Sequence, residues 1–321
     1  MALASNFCKI CFSLFVSKFR AASIRCKSDF SAETEFLKYT VELSYSSYQS
    51  TESILAKEKP DPLVILHGLL GSRSNFNSLC KKYCDNEHFK RQVFALDLRN
   101  HGDSPHCDDQ SYDNVIIDLL RFFQRLELHK VSILGHDIGG RAGMLFALKY
   151  PELVEKLIVI DMSPITTSHN FTSFADILYA LSKMSFPSNL PLLEARAYAT
   201  AHLSKVIKSK GIMNFILMNL VQKSDTSYTW RFNAKTLLKD FKEISTFPVV
   251  HNITFEGPVL FVGGAKSDYI QKSDYPKILK LFPNAELKYI EGAGHWVHSE
   301  KPNEFLSLTL EFLNKDQSAV N

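Results

Sequence analysis

Six short apolar runs, separated by stretches with helical spacing, constrain the fold of this chain most. All six are rich in Val, Ile and Leu, and they occupy residues 63–66, 93–96, 131–134, 157–160, 259–262 and 287–290. Such runs are typical of strands covered on both faces, and their alternation with helical stretches predicts an α/β fold with a mostly parallel central sheet and helices on both faces. The 321 residues suffice for one such domain, predicted at residues 36–313 with a tail at 314–321.

The helical stretches support the same architecture. Apolar residues recur at helical spacing over residues 112–126, and Pro151 stops a second helical stretch that begins at residue 140. Between Pro164 and Pro258 no apolar strand run is found, and the segment is rich in aromatic residues. We therefore predict a helical cap, inserted at about residues 165–250, that covers a pocket at the sheet.

A glycine-rich turn, Gly-His-Asp-Ile-Gly-Gly, joins the third apolar run to the helical stretch after it, at residues 135–140. This context is that of the nucleophile elbow, which holds a reactive side chain on a strained strand-to-helix turn. The reactive position is Asp137. A serine there forms acyl-enzymes from esters, whereas a carboxylate forms alkyl-enzyme esters from epoxides or alkyl halides. A carboxylate can also mark a site that has lost its chemistry.

Further candidate site residues follow other predicted strands, at the sheet edge where α/β proteins bind ligands. His295, on a glycine turn after the last run, is the predicted general base. The acid that orients it is Asp161 or, as second choice, Asp268. The backbone N–H groups of Leu69 and Ile138 are the predicted oxyanion donors. The order nucleophile, acid, histidine is that of α/β hydrolases.

Several motifs together resemble the α/β-hydrolase domain-containing protein 11 family and its bacterial esterase relatives over about residues 43–313. They are HGLLGS, NFNS, DLRNHGDSPH, GHDIGG, YPELVEKLIVIDMSP, LFP and GAGHWVHSEKP. The resemblance implies an α/β-hydrolase fold, a mitochondrial setting, and esterase or diacylglycerol-lipase-type activity without metal or cofactor. It places the base on His295. In the bacterial relatives an acid after the strand that precedes the cap takes part, and that position corresponds to Asp161 in this chain. The family nucleophile is serine, where this chain has Asp137.

Three hypotheses about function follow. In the first, the chain is an ester hydrolase with Asp137 at the elbow and His295 as base, acting on a hydrophobic small molecule or acyl lipid. In the second, Asp137 forms an alkyl-enzyme ester with an epoxide or haloalkane. Epoxide opening then requires a tyrosine from the cap, for which Tyr179, Tyr198 and Tyr228 are available. In the third, the chain is a non-catalytic binding or regulatory member.

The N-terminal residues 1–28 carry five basic residues and no acidic one, which is typical of a mitochondrial targeting segment. A secretory signal is the alternative.

The formal net charge of the whole chain is +3, and no basic stripe indicates nucleic-acid binding. No apolar run reaches the roughly 18 residues of a membrane span. We expect no metal and no cofactor, whereas a protein partner in mitochondria is possible.

Overall fold

The computed structural model of the chain describes residues 39–55, 59–224 and 227–315. The predicted targeting segment and nearly all of the predicted tail lie outside these residues. The β-strands are β1 (Tyr45–Tyr48), β2 (Leu63–Leu66), β3 (Val93–Leu96), β4 (Val131–His136), β5 (Val154–Ile160), β6 (Leu220–Ser224), β7 (Ser227–Trp230), β8 (Val259–Gly264) and β9 (Ala285–Ile290).

Seven of these strands form the central sheet in the order β1-β3-β2-β4-β5-β8-β9. Strand β1 pairs antiparallel with β3, and every other pairing in this sheet is parallel. Each of the six apolar runs lies in a strand of this sheet. The predicted mostly parallel sheet is therefore confirmed, and the carboxyl ends of β2, β4, β5, β8 and β9 meet at one edge.

The α-helices have the following bounds: α1 (Thr51–Leu55), α2 (Asn77–Cys84), α3 (Tyr112–Arg125), α4 (Ile138–Lys149), α5 (His169–Thr172), α6 (Phe174–Lys183), α7 (Leu192–Leu203), α8 (Lys210–Leu217), α9 (Ala234–Lys239), α10 (Phe241–Ile244), α11 (Tyr275–Ile278), α12 (Val297–Glu300) and α13 (Pro302–Asn314). Short 3-10 turns lie at Arg73–Phe76, Pro151–Leu153 and Lys272–Asp274. Ser111 caps α3 by accepting a hydrogen bond from the Asn114 backbone.

Apolar side chains of the strands alternate between two cores, one on each face of the sheet. Along β2, Val64 and Leu66 belong to one core, and Leu63 and Ile65 to the other. Helices α3 and α4 cover the first face, whereas α2 and α13 cover the second. This arrangement explains why the strands read as continuous apolar runs, since both of their faces are buried.

The connection from β5 to β8 (residues 161–258) holds helices α5 to α10 and also a two-stranded hairpin, β6–β7. The expectation that no strand interrupts this region was wrong. Leu220 pairs with Trp230 in the hairpin, but the polar Gln222 and Lys223 follow after only two apolar residues. The hairpin therefore leaves no apolar run in the sequence. The role of the β5–β8 connection as a cap stays a prediction.

Candidate functional site

Asp137 stands alone between the end of β4 and the start of α4, with φ 53° and ψ −121°. A non-glycine residue in this region of backbone space is strained, and such strain concentrates at functional sites. The neighbouring glycines are required by close packing. A β-carbon at Gly135 would lie 2.3 Å from the carbonyl oxygen of Gly139, and one at Gly139 would lie 2.5 Å from that of His67. The turn therefore has the geometry of a nucleophile elbow.

The carboxylate of Asp137 is 4% exposed, and its two oxygens have different surroundings. Oδ2 accepts a hydrogen bond from the backbone N–H of Leu69 at 3.0 Å. Oδ1 is buried and has no hydrogen-bond partner among the described residues. Burial raises the pKa of Asp137 above its ordinary value, although the charge of His295 and the Leu69 N–H act in the opposite direction.

His295 lies in the turn after β9 and contacts Asp161, which directly follows β5. Its Nδ1 lies 2.7 Å from Oδ2 of Asp161. Asp161 is fully buried and also accepts hydrogen bonds from the Gly264 backbone, at 3.0 Å, and from the Ser267 hydroxyl. Burial by itself would lower the pKa of His295, but the hydrogen bond and charge of Asp161 outweigh it and raise that pKa above 6.5.

The second-choice acid, Asp268, has other partners. Its Oδ1 accepts hydrogen bonds from the Ser168 hydroxyl at 2.7 Å and from the Asn170 amide at 3.0 Å, both from the β5–β8 connection. The structure thus brings Asp161, and not Asp268, to His295. The catalytic role of Asp161 stays a prediction.

Asp137 and His295 line the same cavity, whose volume is about 460 Å³. Its lining combines aromatic side chains with a polar rim, and comprises Gly68, Leu69, Ser74, Asn75, Phe76, His136, Asp137, Phe171, Phe174, Gly211, Asn214, Phe215, Met218, Tyr269, His295, Trp296, His298, Ser299 and Glu300. No hydrogen bond joins the Asp137 and His295 side chains, both of which the structure describes.

Two residues that support His295 were missed by the sequence reasoning. His136 donates from Nε2 to the backbone carbonyl of His295 at 3.1 Å, which ties the β9 turn to the elbow. The ring of Tyr269 stacks on the His295 ring, with 3.8 Å between centroids. No periodic pattern marks either residue, and only the position of His136 next to Asp137 could have indicated it. His298 stacks on Phe76 inside the protein.

The predicted oxyanion donors flank Asp137 on both sides. Leu69 lies in the loop after β2, and Ile138 is the first residue of α4, where helix N–H groups lack intrahelical acceptors. Leu70 has a positive φ of 59°. Its carbonyl accepts a hydrogen bond from the Asn219 amide at 2.9 Å, which ties the loop to the β5–β8 connection. No feature of the sequence indicates this contact.

A buried ion pair lies away from the cavity. Arg99 makes two hydrogen bonds to the carboxylate of Asp118, at 2.6 and 2.8 Å, and both side chains are buried. Within the described part of the chain, Tyr179, Tyr198 and Tyr228 do not line the cavity around Asp137. The tyrosine that does so is Tyr269.

The described residues contain no group of three or more His, Cys, Asp or Glu side chains arranged to hold a metal ion. They also contain no helix with the length and apolar character needed to cross a bilayer.

Comparisons with known proteins agree with this architecture. The family profile of the alpha/beta hydrolase fold matches residues 61–302. The chain is 40% identical over 252 residues to the sn-1-specific diacylglycerol lipase ABHD11 of Danio rerio, covering 78% of each protein. It is 34% identical to a putative esterase/lipase of Haemophilus influenzae, covering 85% of this chain and 89% of the relative.

The solved structures that resemble this chain include one with substantial sequence identity. A marine microorganism esterase superposes with a TM-score of 0.76 at 36% identity, and the match covers 85% of this chain and 100% of the esterase.

Proposed function

The chain belongs to the α/β hydrolase family, and on that premise we propose that it hydrolyses carboxylic esters of hydrophobic acyl groups, with acylglycerols as the substrate class. The observation that carries the proposal is the 2.7 Å contact between His295 and Asp161, on the wall of the cavity that also contains Asp137. The diacylglycerol lipase and esterase names of its relatives, together with the aromatic lining of the cavity, support the choice of substrate.

The hydrogen bond to Asp161 determines what His295 can do. With its Nδ1–H donated to the carboxylate, Nε2 carries the lone pair that accepts a proton from water. That water attacks the ester carbonyl carbon and forms a tetrahedral intermediate. The C–O bond to the alcohol then breaks, and the departing alkoxide takes the proton from Nε2. The products are a carboxylic acid, which contains the water oxygen, and an alcohol.

Asp137 does not serve as an acyl acceptor in this proposal, because its attack on an ester would yield a reactive anhydride. Its unpartnered Oδ1 instead accepts a hydrogen bond from the attacking water and orients it. Because Oδ2 already accepts the Leu69 N–H, the developing oxyanion depends mainly on the N–H of Ile138. We therefore expect slower turnover than in a counterpart with serine at this position.

The test measures hydrolysis of p-nitrophenyl butyrate and of a short-chain diacylglycerol. The unaltered chain should show slow turnover, and His295→Ala should abolish it. Asp137→Ser should raise the rate at least tenfold, because it restores an acyl acceptor and frees the Leu69 N–H. Asp137→Ala should reduce the slow turnover. If the unaltered chain is no faster than His295→Ala, the proposal fails and a binding role is favoured.

A second candidate function is favoured by the unequal surroundings of the two Asp137 oxygens. In this candidate Oδ1, which has no hydrogen-bond partner among the described residues, attacks an sp3 carbon that bears a halide and forms a C–O bond as the halide leaves. Water activated by His295 would then attack Cγ of the resulting ester and release the alcohol. Oδ2 already lies at the Leu69 N–H that would stabilise the oxyanion of this second step.

The epoxide form of this chemistry is less well supported, because the tyrosines predicted to protonate the epoxide oxygen do not line the cavity within the described residues. The haloalkane form is tested with His295→Gln, which should block hydrolysis of the ester and trap it. After incubation with 1-iodobutane, mass spectrometry should find a butyl group on the Asp137 peptide. The matched variant Asp137→Asn/His295→Gln should carry none, and absence of the adduct from both variants rejects this candidate.

We also propose a mitochondrial location, on the basis of the five basic residues and the absence of acidic ones in residues 1–28. A fluorescent protein fused after this segment should accumulate in mitochondria. The same fusion with the five basic residues changed to glutamine should not, and delivery to the secretory pathway would contradict the proposal.

A further inference from the structure

Helix α8 and Met218 line one side of the cavity, and α7 packs against α8; we call residues 191–218, which hold both helices and the loop between them, the lip. Along α8 and just beyond its end, Gly211, Asn214, Phe215 and Met218 line the cavity. Their spacing of three, four and seven residues places them on one face of the helix. Gly211, Asn214 and Met218 are also exposed to solvent. The lip therefore contacts both the cavity and the outside of the protein.

Several large apolar side chains of the lip are exposed rather than buried. Leu192 is 52% exposed, Leu193 is 79% exposed and Met218 is 59% exposed. The guanidinium of Arg196 donates to the Leu217 carbonyl at 3.2 Å, so α7 packs beside the end of α8. The exposed leucines of α7 and the cavity-lining Met218 thus belong to two helices that contact each other. An exposed apolar cluster at the entrance of a cavity is typical of an interaction surface.

The lip is also basic. Four basic residues and one acidic residue, Glu194, lie within residues 191–218. Lys205, Lys208 and Lys210 are all exposed, and Lys210 begins α8 next to the cavity-lining Gly211. Exposed lysines in the same helical segment as exposed apolar side chains are typical of proteins that lie on anionic bilayers, with apolar side chains in the acyl region and basic ones among the headgroups.

We propose that the lip docks onto the surface of an anionic phospholipid membrane. Leu192 and Leu193 enter the outer acyl layer, and the three lysines bind lipid phosphates. The cavity mouth then faces the bilayer, so a water-insoluble ligand can pass from the membrane into the cavity without crossing water. This surface is separate from the catalytic residues, and the binding it predicts does not depend on turnover.

The test measures sedimentation of the full chain with phosphatidylcholine vesicles and with vesicles that also contain phosphatidylglycerol. Each lysine near an anionic surface contributes about a fivefold factor in partitioning. Lys205→Gln/Lys208→Gln/Lys210→Gln should therefore weaken binding to anionic vesicles at least tenfold. The matched control Lys90→Gln/Lys277→Gln/Lys280→Gln removes the same charge from exposed residues outside the lip, and should bind as the unaltered chain does. The unaltered chain and every variant retain residues 1–28, so the basic residues of that segment contribute equally to vesicle binding in all of them.

Leu192→Ser/Leu193→Ser should weaken binding to both kinds of vesicle, because it removes apolar insertion rather than charge. Turnover of a soluble short-chain ester should be unchanged in the lysine and leucine variants, which separates this proposal from the proposed hydrolysis. Three results would overturn it. One is that the unaltered chain shows no preference for anionic vesicles. The others are that the lip lysine variant binds anionic vesicles as tightly as the unaltered chain, and that the matched control loses as much binding as the lip lysine variant.

Discussion

The substitution Asp161→Asn tests the proposed role of the His295–Asp161 pair. Asp161 accepts hydrogen bonds from the Gly264 backbone, the Ser267 hydroxyl and Nδ1 of His295. Asparagine has nearly the same shape and can keep the bond from Gly264 through its single oxygen. Its NH₂ group then faces His295 and donates to Nδ1, which leaves the proton on Nε2. In that tautomer His295 cannot accept a proton from water.

The expected loss is large because a wrong tautomer removes the base while leaving the fold intact. A comparable substitution in serine proteases lowers kcat about 10⁴-fold, and we expect about 10³- to 10⁴-fold here, or roughly 4–5.5 kcal/mol of barrier. The assay is steady-state hydrolysis of p-nitrophenyl butyrate, by the unaltered chain and in the Asp137→Ser background. The control Asp268→Asn should change kcat by less than about threefold, because Asp268 bonds to Ser168 and Asn170.

The pH dependence gives a second readout of the same substitution. His295 must be neutral to act as a base, and its pKa is raised above 6.5 because the contribution of Asp161 outweighs burial. Activity should therefore rise with pH through a midpoint above 6.5. Without the carboxylate, that pKa falls, so the residual activity of Asp161→Asn should reach its plateau at lower pH. A loss of less than tenfold, an unchanged midpoint, or an equal loss in Asp268→Asn would refute the reasoning.

Three other substitutions test the surroundings of the site. Ser267→Ala removes one hydrogen bond to Asp161 and should lower kcat/KM about three- to tenfold in steady-state assays, with a nearly unchanged melting temperature. In the Asp137→Ser background, where the Leu69 N–H is free for the oxyanion, Asn219→Ala removes the bond to the carbonyl of Leu70 and should lower kcat about tenfold with a smaller change in KM; an effect on KM alone would contradict a role in positioning the oxyanion loop. Arg99→Met leaves Asp118 buried without its partner and should cost roughly 3–5 kcal/mol in urea unfolding, while turnover per folded molecule stays the same.

Much of the fold could be predicted from the sequence because the central strands are buried on both faces. That burial produces continuous apolar runs, and the end of each run locates the edge where site residues collect. The run at residues 157–160 thus placed Asp161 at the carboxyl end of β5, where it contacts His295. Strand β6 has only two successive apolar residues, so the β6–β7 hairpin left no comparable pattern.

The contacts between distant loops could not be predicted. The choice between Asp161 and Asp268 depends on Ser168 and Asn170, which belong to the β5–β8 connection and hydrogen-bond to Asp268. Likewise, Tyr269 stacks on His295 because of the path that the loop after β8 takes in the folded chain. Neither interaction follows from residue spacing, because the partners belong to segments joined only by tertiary packing.

In the proposed hydrolysis, water activated by His295 attacks the ester directly, while Asp137 stays free of any covalent bond to the substrate. This mechanism is tested by a single turnover of p-nitrophenyl butyrate in water enriched in heavy oxygen, followed by mass spectrometry of the products and of the Asp137 peptide. We predict one heavy oxygen in the butyrate and none in Asp137. Heavy oxygen in the Asp137 carboxylate would contradict this claim, because it requires a covalent intermediate on that residue.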